Sequence, residues 1–425
     1  MISSTDSHPT PERLRRRSTV LALVALLSTT SATAQTVGEP LPPWTPGMLD
    51  IHQINTGRGN SALLIFPDGT SLLVDAGASN VEPPRGATRV PDGSRTPGEW
   101  IARYARRMMV HDAEPVIDYG VVTHFHPDHM GRICPDSKTS ATGAYKLTGF
   151  TDLAERIQIR TMIDRGWPDY DYPAPRDSEL MQNYRAFLDY QGAHEEMQVE
   201  RLEPGRRDQI VLRRAPERYP NFEVRNIAAN GEVWTGVGTA TRRHFPALDA
   251  TPEEDWPTEN QSSLAIRVTY GRFDYYTGGD LPGHPRPGYP DWQDVETPVA
   301  KAVGSVDAAV LNHHGNRDST NAFFVSALRP RVWIIPARMA DHPGHDVIDR
   351  MYSTRLYPEP RDVFSINMID ANKMVIGELL TRLKSDQGHI VIRVVEGGEQ
   401  YRVIILDDAA ENFHVTAVHG PYAAR

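Results

Sequence analysis

The feature that most constrains this chain is a cluster of histidines placed directly after an apolar stretch. The apolar run at 117–122 predicts a β-strand, and the next residues, 123–129, read Thr-His-Phe-His-Pro-Asp-His. His124 and His126 are two residues apart, so their side chains point to the same side of an extended backbone. Pro127 suits the first position of a short helix, and that turn would bring the two residues after it back toward the histidine pair. Three imidazoles and one carboxylate within six residues predict a metal site, with zinc as the first candidate.

Two simpler interpretations of residues 123–129 are a histidine-rich surface turn and a structural metal clip. A reactive metal centre would need further ligands from other parts of the chain, so the context of the motif decides between the interpretations.

Further ligand candidates follow three other predicted strands. The third strand ends in Asp75, where a carboxylate could brace the metal loop from behind, although a lone aspartate there is more often a turn residue. A later strand ends in Gly278-Gly279-Asp280, where the glycines allow a close backbone approach and Asp280 can supply a bridging carboxylate. Another strand, 306–311, ends in Asn312-His313-His314, whose histidines could instead be structural.

The N-terminus has the pattern of a secretory signal peptide. Arg13 and Arg15 to Arg17 form a basic region, residues 20–27 form a short apolar core, and Ala32-Thr33-Ala34 offers a cleavage site. The apolar core is too short to span a membrane as a stable helix. We therefore expect a signal peptide at 1–34, cleavage after Ala34, and a periplasmic or secreted single domain at 35–425 with no transmembrane span.

The charge balance argues against a general nucleic-acid-binding protein. The 425 residues carry a formal net charge of −10, and the first 34 contain four arginines against Asp6 and Glu12, so the mature chain would carry about −12. Neutralising phosphates needs a basic face, so this balance speaks against tight non-specific binding, while a local basic cleft stays possible. Cys134 is the only cysteine, which excludes an intrachain disulfide.

The predicted elements follow the order of a mixed α/β chain. Three strands open it, a helix covers 97–109, and the order strand, ligand loop, helix recurs in both halves. Residues 136–221 have a looser pattern, with helices predicted at 151–157 and 177–190, and we interpret them as an inserted helical and loop region near the site mouth. Their aromatic segment, 165–173, could shape substrate access or merely cover its own loop.

The metal motif and the order of elements resemble the metallo-β-lactamase superfamily. Residues 124–129 match its H-x-H-x-D-H signature. The segments between about 49 and 336, with a further strand pair near 388–406, are similar in order to its αββα sandwich.

Within the superfamily the chain most resembles the C-terminal hydrolase domain of ComEC-like competence proteins and their secreted relatives. The similarity lies in residues 54–61 (Ile-Asn-Thr-Gly-Arg-Gly-Asn-Ser), beside that family's DVGQGDS-like turn, in 260–264 (Asn-Gln-Ser-Ser-Leu), and in His313-His314-Gly315. No channel segments accompany them, so we do not expect a DNA-uptake channel.

The resemblance implies two zinc ions and a role for each matched residue. The implied ligands are His124 and His126 for the first metal, Asp128, His129 and His314 for the second, and Asp280 as the bridge. His314 is preferred over His313 because the superfamily's final ligand usually stands directly before a small residue. The superfamily places another histidine about twenty residues before the bridging aspartate, where this chain has Asn260, as ComEC-like relatives also tend to have. An amide oxygen is a weaker zinc ligand, so the first metal would be loosely held, replaced by manganese, or absent.

These ligands imply a metal-dependent hydrolase, in which two cations lower the pKa of a shared water and supply hydroxide near neutral pH. Asp128 and Asp280 would be its catalytic carboxylates, with Asp128 also orienting the hydroxide. Similarity to ComEC-like proteins makes phosphoester or phosphodiester bonds the first substrate class, in a small molecule or in nucleic acid. Ester, lactone or β-lactam hydrolysis is the rival among enzymes, and a metal-binding protein without turnover is the rival from another class.

Overall fold

The first half of the chain supplies most of one β-sheet and the helices beside it. The computed structural model describes residues 1–4, 35–110, 112–285 and 288–425. In chain order the first elements are β1 (Leu49–Gln53), β2 (Ala62–Ile65), β3 (Ser71–Val74), α1 (Pro97–Met108), β4 (Ile117–Val121), α2 (Pro127–Met130), α3 (Gly149–Ala154), β5 (Ile159–Asp164), α4 (Glu179–His194) and β6 (Gln198–Arg201).

The second half supplies a second sheet and then returns to the first. Its elements are β7 (Phe222–Ala229), β8 (Glu232–Trp234), β9 (Thr241–Arg243), β10 (Ala265–Tyr270), β11 (Phe273–Gly278), α5 (Glu296–Val303), β12 (Ala308–Val310), α6 (Ala322–Leu328), β13 (Val332–Ile335), α7 (His345–Met351), β14 (Asp362–Ser365), α8 (Asp370–Ile376) and β15 (Leu383–Ser385). The returning strands are β16 (His389–Val394), β17 (Gln400–Leu406) and β18 (Val415–Ala423).

The strands of the described residues form two mixed sheets of nine. The order of the first is β18-β17-β16-β1-β2-β3-β4-β5-β6, and the order of the second is β15-β14-β13-β12-β11-β10-β7-β8-β9. Strands β3 to β6 run parallel, as do β11 to β15. Because neighbouring parallel strands end at the same edge of a sheet, the loops after β3 and β4 lie together, and so do those after β11, β12 and β13.

Alternation along the strands produces three apolar cores in layers. In β13, Val332 and Ile334 belong to the core shared by the two sheets, whereas Trp333 and Ile335 belong to the core on the helix side of the second sheet. The helices α5, α6 and α7 contribute to that outer core, and α1, α3 and α4 contribute to the matching core on the first sheet. The layers are therefore helices, sheet, sheet and helices, which confirms the predicted α/β class and agrees with an α/β sandwich.

Local sequence explains how the first long helix begins and ends. Thr96 precedes α1 and accepts a hydrogen bond from the backbone N–H of Glu99, and Pro97 occupies the first turn. Arg106 and Arg107 lie in the last turn, where cations interact favourably with the helix dipole. The helix was predicted at 97–109 and is confirmed within one residue.

The interpretation of residues 136–221 as inserted helices and loops is wrong on one point. The two predicted helices are present as α3 and α4, but the region also contains β5 and β6, which extend the first sheet in parallel beyond β4. The sequence Gln-Val-Glu-Arg of β6 is polar and partly exposed, so it carries no apolar signal. This region therefore forms one edge of the sheet.

The N-terminal predictions fall largely outside the described residues. Residues 35–425 form one compact unit, and residues 1–4 have no regular secondary structure. Residues 5–34 are outside the described ranges, so the signal peptide, its cleavage after Ala34 and export stay predictions. Within the parts of the chain that the structure describes, no helix has both the length and the apolarity needed to cross a bilayer.

Candidate metal centre

The loop after β4 presents four of the predicted ligands to one place. α2 begins at Pro127, and His126 directly before it is extended, with φ −93° and ψ 153°. The N–H groups of His129 and Met130 both donate to the carbonyl of His126 at 3.0 Å, which closes the turn. The turn brings Asp128 and His129 into the protein, where they are 7% and 1% exposed. The predicted short helix at Pro127 is confirmed.

Four side chains from three loops form the first candidate ligand group. Asp128 and His129 follow β4, Asp280 follows β11, and His314 follows β12. Their ligand atoms all lie within 4.8 Å of one another, and all four residues are buried. The Nε2 atom of His129 lies 3.1 Å from Asp280 Oδ1 and 3.3 Å from His314 Nε2. Four donors at zinc bond lengths in a tetrahedron are about 3.4 Å apart, so this spacing fits a metal ion.

A second candidate group shares Asp280 with the first. It consists of His124, His126 and Asp280. The Nε2 atom of His124 lies 3.1 Å from His126 Nδ1 and 3.7 Å from Asp280 Oδ2. The other oxygen of Asp280, Oδ1, faces His129. One carboxylate therefore turns one oxygen toward each group, which is the arrangement of a bridging ligand.

Asp75 lies behind His129 and fixes its orientation. Its Oδ2 atom accepts hydrogen bonds from His129 Nδ1 at 2.7 Å and from Asn60 Nδ2 at 3.0 Å, and its Oδ1 atom accepts from the N–H of Thr123 at 2.8 Å. With its Nδ1 proton directed at Asp75, His129 turns the lone pair of Nε2 toward the ligand group. The structure thus places Asp75 where the sequence predicted a bracing carboxylate.

The two adjacent histidines after β12 occupy different places. His314 donates from Nδ1 to the carbonyl of Pro336 at 2.9 Å, which leaves Nε2 free to face Asp128 at 3.0 Å. His313 directs Nδ1 to Asp318 at 2.6 Å, and its Nε2 atom lies 3.7 Å from Asp280 Oδ2. His314 belongs to the first ligand group and His313 lies beside it, in agreement with the preference for His314.

Asn260 begins a short 3₁₀ turn, Asn260–Ser262, and lies beside His313. Its Nδ2 atom donates to His313 Nε2 at 3.3 Å. Its buried Oδ1 atom has no hydrogen-bond partner among the described residues. A buried oxygen left unpaired costs about 1–3 kcal/mol, and a cation beside it would remove that cost. The buried imidazole and carboxylate donors of Asp128, His129, Asp280 and His314 thus fit a metal ion, and the unpaired oxygen of Asn260 is a further donor beside His313.

The electrostatics of the cluster favour a neutral His124 and an ionised Asp280, and they hold a proton on His129. Burial, helped by the neighbouring His129, holds the pKa of His124 well below its usual value, so its imidazole is neutral. Burial alone would raise the pKa of Asp280, but His129 and His314 hold it well below the ordinary range, so it is ionised. Burial would lower the pKa of His129, but Asp280 and the other carboxylates raise it well above its usual value. A bound cation would replace that proton.

Sequence reasoning missed a buried carboxylate that ties the aromatic segment to the metal loop. Glu259 accepts a hydrogen bond from the N–H of Phe125 at 2.8 Å and bonds the guanidinium of Arg165, with Nε at 2.8 Å. Arg176 also pairs with Glu259 at 2.8 Å, and the Arg165 guanidinium lies 4.7 Å from the ring centroid of Phe125. Although burial opposes it, Arg165 and Arg176 lower the pKa of Glu259 to about 2. The segment beginning at Arg165 is thus fixed against the loop between two predicted ligands.

Arg338 is the second residue that sequence reasoning missed. It follows β13, and its Nε and Nη2 atoms both donate to Asp128 Oδ2, with Nε at 3.0 Å. The only signal was positional, since β13 is parallel to β12 and its loop therefore shares the edge that carries His314. His342, four residues later, stacks on His314 with ring centroids 4.7 Å apart.

Comparisons of the whole chain with protein-family models and with curated proteins found no match.

Proposed function

We propose that this protein is a metal-dependent hydrolase with a dinuclear site, built on the metallo-β-lactamase αββα sandwich. The single observation that carries the proposal is Asp280, whose two oxygens face two groups of candidate ligands, all of them buried except the half-buried His126. A surface turn would not bury these side chains, and a structural metal clip would need only one group. The H-x-H-x-D-H motif and the helix–sheet–sheet–helix layers support the same assignment.

The residues divide into those that would hold cations and those that would orient them. His124, His126 and Asp280, with the free oxygen of Asn260 nearby, would hold one cation. The other would be held by Asp128, His129, Asp280 and His314. Two bound cations supply Lewis acidity and a water of lowered pKa, which is the chemistry of hydrolysis.

This chain's own contribution is orientation and exclusion of water. Asp75 and the Pro336 carbonyl fix the rings of His129 and His314, so that both Nε2 atoms face the same centre. The apolar cores behind both loops keep these bonds away from bulk solvent, where they would be weaker. Asp128, held by Arg338, can accept a hydrogen bond from a water at the site.

Zinc is the first metal of the proposal because imidazole and carboxylate ligands suit it, and manganese is the alternative at the group beside Asn260. Phosphodiester bonds are the proposed substrate class, in a protein exported to the periplasm or beyond. Ester, lactone or β-lactam hydrolysis, and metal binding without turnover, are distinguished from it by experiment.

The test combines metal content with turnover on purified protein. We expect about two zinc ions per chain by elemental analysis and metal-dependent cleavage of bis(p-nitrophenyl) phosphate. Asp280→Asn should lose metal and activity together, whereas Asp249→Asn, the same change at an exposed position in a short 3₁₀ turn, should keep both.

Three results would contradict the proposal. Cleavage of p-nitrophenyl acetate but not of the phosphodiester would move the substrate class to esters. Two bound metals without hydrolysis of either compound would indicate a binding protein. Absence of metal after reconstitution with zinc or manganese would refute the metal centre itself.

A further inference from the structure

Arg338 is a charged side chain at the candidate site that none of the ligand assignments uses. Its backbone position is fixed, because its carbonyl accepts from the N–H of Ala87 at 2.8 Å and the N–H of Ala340 donates to Arg85 at 2.8 Å. Two residues before it, the Pro336 carbonyl orients His314. The guanidinium is therefore carried by the same rigid edge that positions a metal ligand.

The hydrogen bonds of Arg338 leave part of its donor capacity open. A guanidinium has five N–H donors. Arg338 uses one on Nε and one on Nη2, and both go to a single oxygen of Asp128. Within the residues that the structure describes, Nη1 has no hydrogen-bond partner, and the side chain is 11% exposed. The nearly buried guanidinium of Arg338 therefore keeps N–H donors that can reach an anion bound at the ligands.

Formal charge at the site favours an anion once cations are present. Three carboxylates, Asp75, Asp128 and Asp280, lie in or directly behind the ligand groups. Two divalent cations and Arg338 would outweigh them. Of the other nearby carboxylates, Glu259 is already paired with two arginines and Asp318 with His313. An arginine fork is suited to the oxygens of phosphate and phosphodiester groups.

We infer that Arg338 binds the second non-bridging oxygen of an anionic phosphodiester held at the metals and so selects phosphodiesters over neutral esters. This inference rests on the proposed function. A phosphodiester has two non-bridging oxygens, one for the cations and one for Arg338. A neutral ester or lactone offers no such second anionic oxygen. The contact with Asp128 then serves to hold the guanidinium in place.

The test compares Arg338→Met and Arg338→Lys with Arg201→Met, a matched change of an exposed arginine on β6. Zinc content is measured first. Steady-state rates then follow for bis(p-nitrophenyl) phosphate and p-nitrophenyl acetate, and calorimetry measures binding of inorganic phosphate to the zinc-loaded proteins. We expect Arg338→Met to keep its zinc, to lose about 10- to 100-fold more in phosphodiester kcat/KM than in acetate-ester kcat/KM, and to lose phosphate affinity by a similar factor. Arg338→Lys should fall between it and the parent, and Arg201→Met should match the parent.

Failure of this inference and failure of the proposed function give different results. Loss of zinc in both Arg338 variants, or an equal loss on both substrates, would overturn the inference and make Arg338 a structural partner of Asp128. Unchanged phosphodiester turnover and phosphate binding in Arg338→Met would also overturn it, while the hydrolase assignment stands. Phosphate binding that depends on Arg338 in a parent without any turnover would support the anion site and refute the hydrolase.

Discussion

Replacing Asp75 by asparagine tests whether the carboxylate behind His129 controls metal binding. Asparagine is among the residues that best tolerate the positive φ of 61° found at Asp75, so the backbone can stay in place. If the remaining oxygen keeps its bond to the N–H of Thr123, an amide nitrogen replaces Oδ2. That nitrogen is a donor, and it faces donors on His129 and Asn60 at 2.7 and 3.0 Å.

The magnitude follows from the bonds to His129 and Asn60 that are lost, because the third donor to Oδ2, the Thr123 hydroxyl at 2.9 Å, can rotate and accept from the amide instead. A buried hydrogen bond to a charged group contributes about 1.5–3 kcal/mol, and loss of the buried charge returns part of its desolvation cost, so the metal-free protein should lose roughly 3 kcal/mol of unfolding free energy. Partners of metal-binding histidines change metal affinity by about 10- to 100-fold. We expect Asp75→Asn to weaken zinc binding by that factor, because the Nδ1 proton of His129 no longer has its acceptor.

The assay is competition for zinc with a chelating dye, together with denaturant unfolding of the metal-free protein. Asp68→Asn is the matched control, because Asp68 also accepts several backbone bonds, from Thr70, Arg214 and Ala215 at 2.8–3.0 Å. It lies in the turn between β2 and β3, so it should lower stability without changing zinc affinity. Unchanged zinc affinity in Asp75→Asn would refute the orienting role.

Two further substitutions probe the supports of the site, and a third probes a buried histidine on β1. A Cβ atom on Gly77 would lie 2.0 Å from the carbonyl oxygen of Asp128, so Gly77→Ala should lower the unfolding free energy by about 1–3 kcal/mol and reduce zinc content. The control Gly192→Ala should be neutral or stabilise α4 by up to about 1 kcal/mol. Equal melting temperatures of the two variants would contradict this prediction. Glu296 accepts three N–H donors at 2.7–2.9 Å around the loop that carries the second histidine pair, so Glu296→Gln should cost about 1–3 kcal/mol and lower zinc content, and a fully loaded variant would count against it. Burial lowers the pKa of His52 from 6.5 to about 4; the unfolded chain therefore binds the proton first, and stability falls as pH drops from 6.5 to about 4 by about 1.4 kcal/mol per pH unit. Other buried histidines add to this slope, such as His389, whose pKa burial lowers to about 3. His52→Gln should therefore reduce the slope by about 1.4 kcal/mol per pH unit in unfolding titrations of the metal-free protein, and an unchanged slope would contradict the assignment.

Sequence patterns best predicted those features that depend on residues close together in the chain, such as a buried strand and the loop that follows it. The run before the metal motif is apolar because both faces of β4 are covered, and the following motif needs only a strand end and a short turn to bring its side chains together. Asp280 and the pair His313-His314 were identified because each follows an apolar strand, whereas the preference for His314 came from the family resemblance.

The missed features depend on contacts between distant parts of the chain. Arg338 and Asp128 are 210 residues apart, and nothing local in the sequence around Arg338 indicates a partner for its guanidinium. Glu259 forms its buried pairs with an arginine 94 residues earlier, which requires the two sheets to be packed together. β6 was missed because an edge strand that is only partly covered does not need an apolar sequence.

The position of the site explains why neither half of the chain can build it alone. Asp128 and His129 come from the first sheet, whereas Asp280 and His314 come from the second, and their ligand atoms lie within 4.8 Å of one another. Without a metal the buried carboxylates depend on Arg338 and on a protonated His129 for charge compensation, and a cation would take the place of that proton. A cation that binds only the assembled site would stabilise the packing of the two sheets by mass action. Metal binding and the docking of the two halves are therefore expected to be one coupled equilibrium.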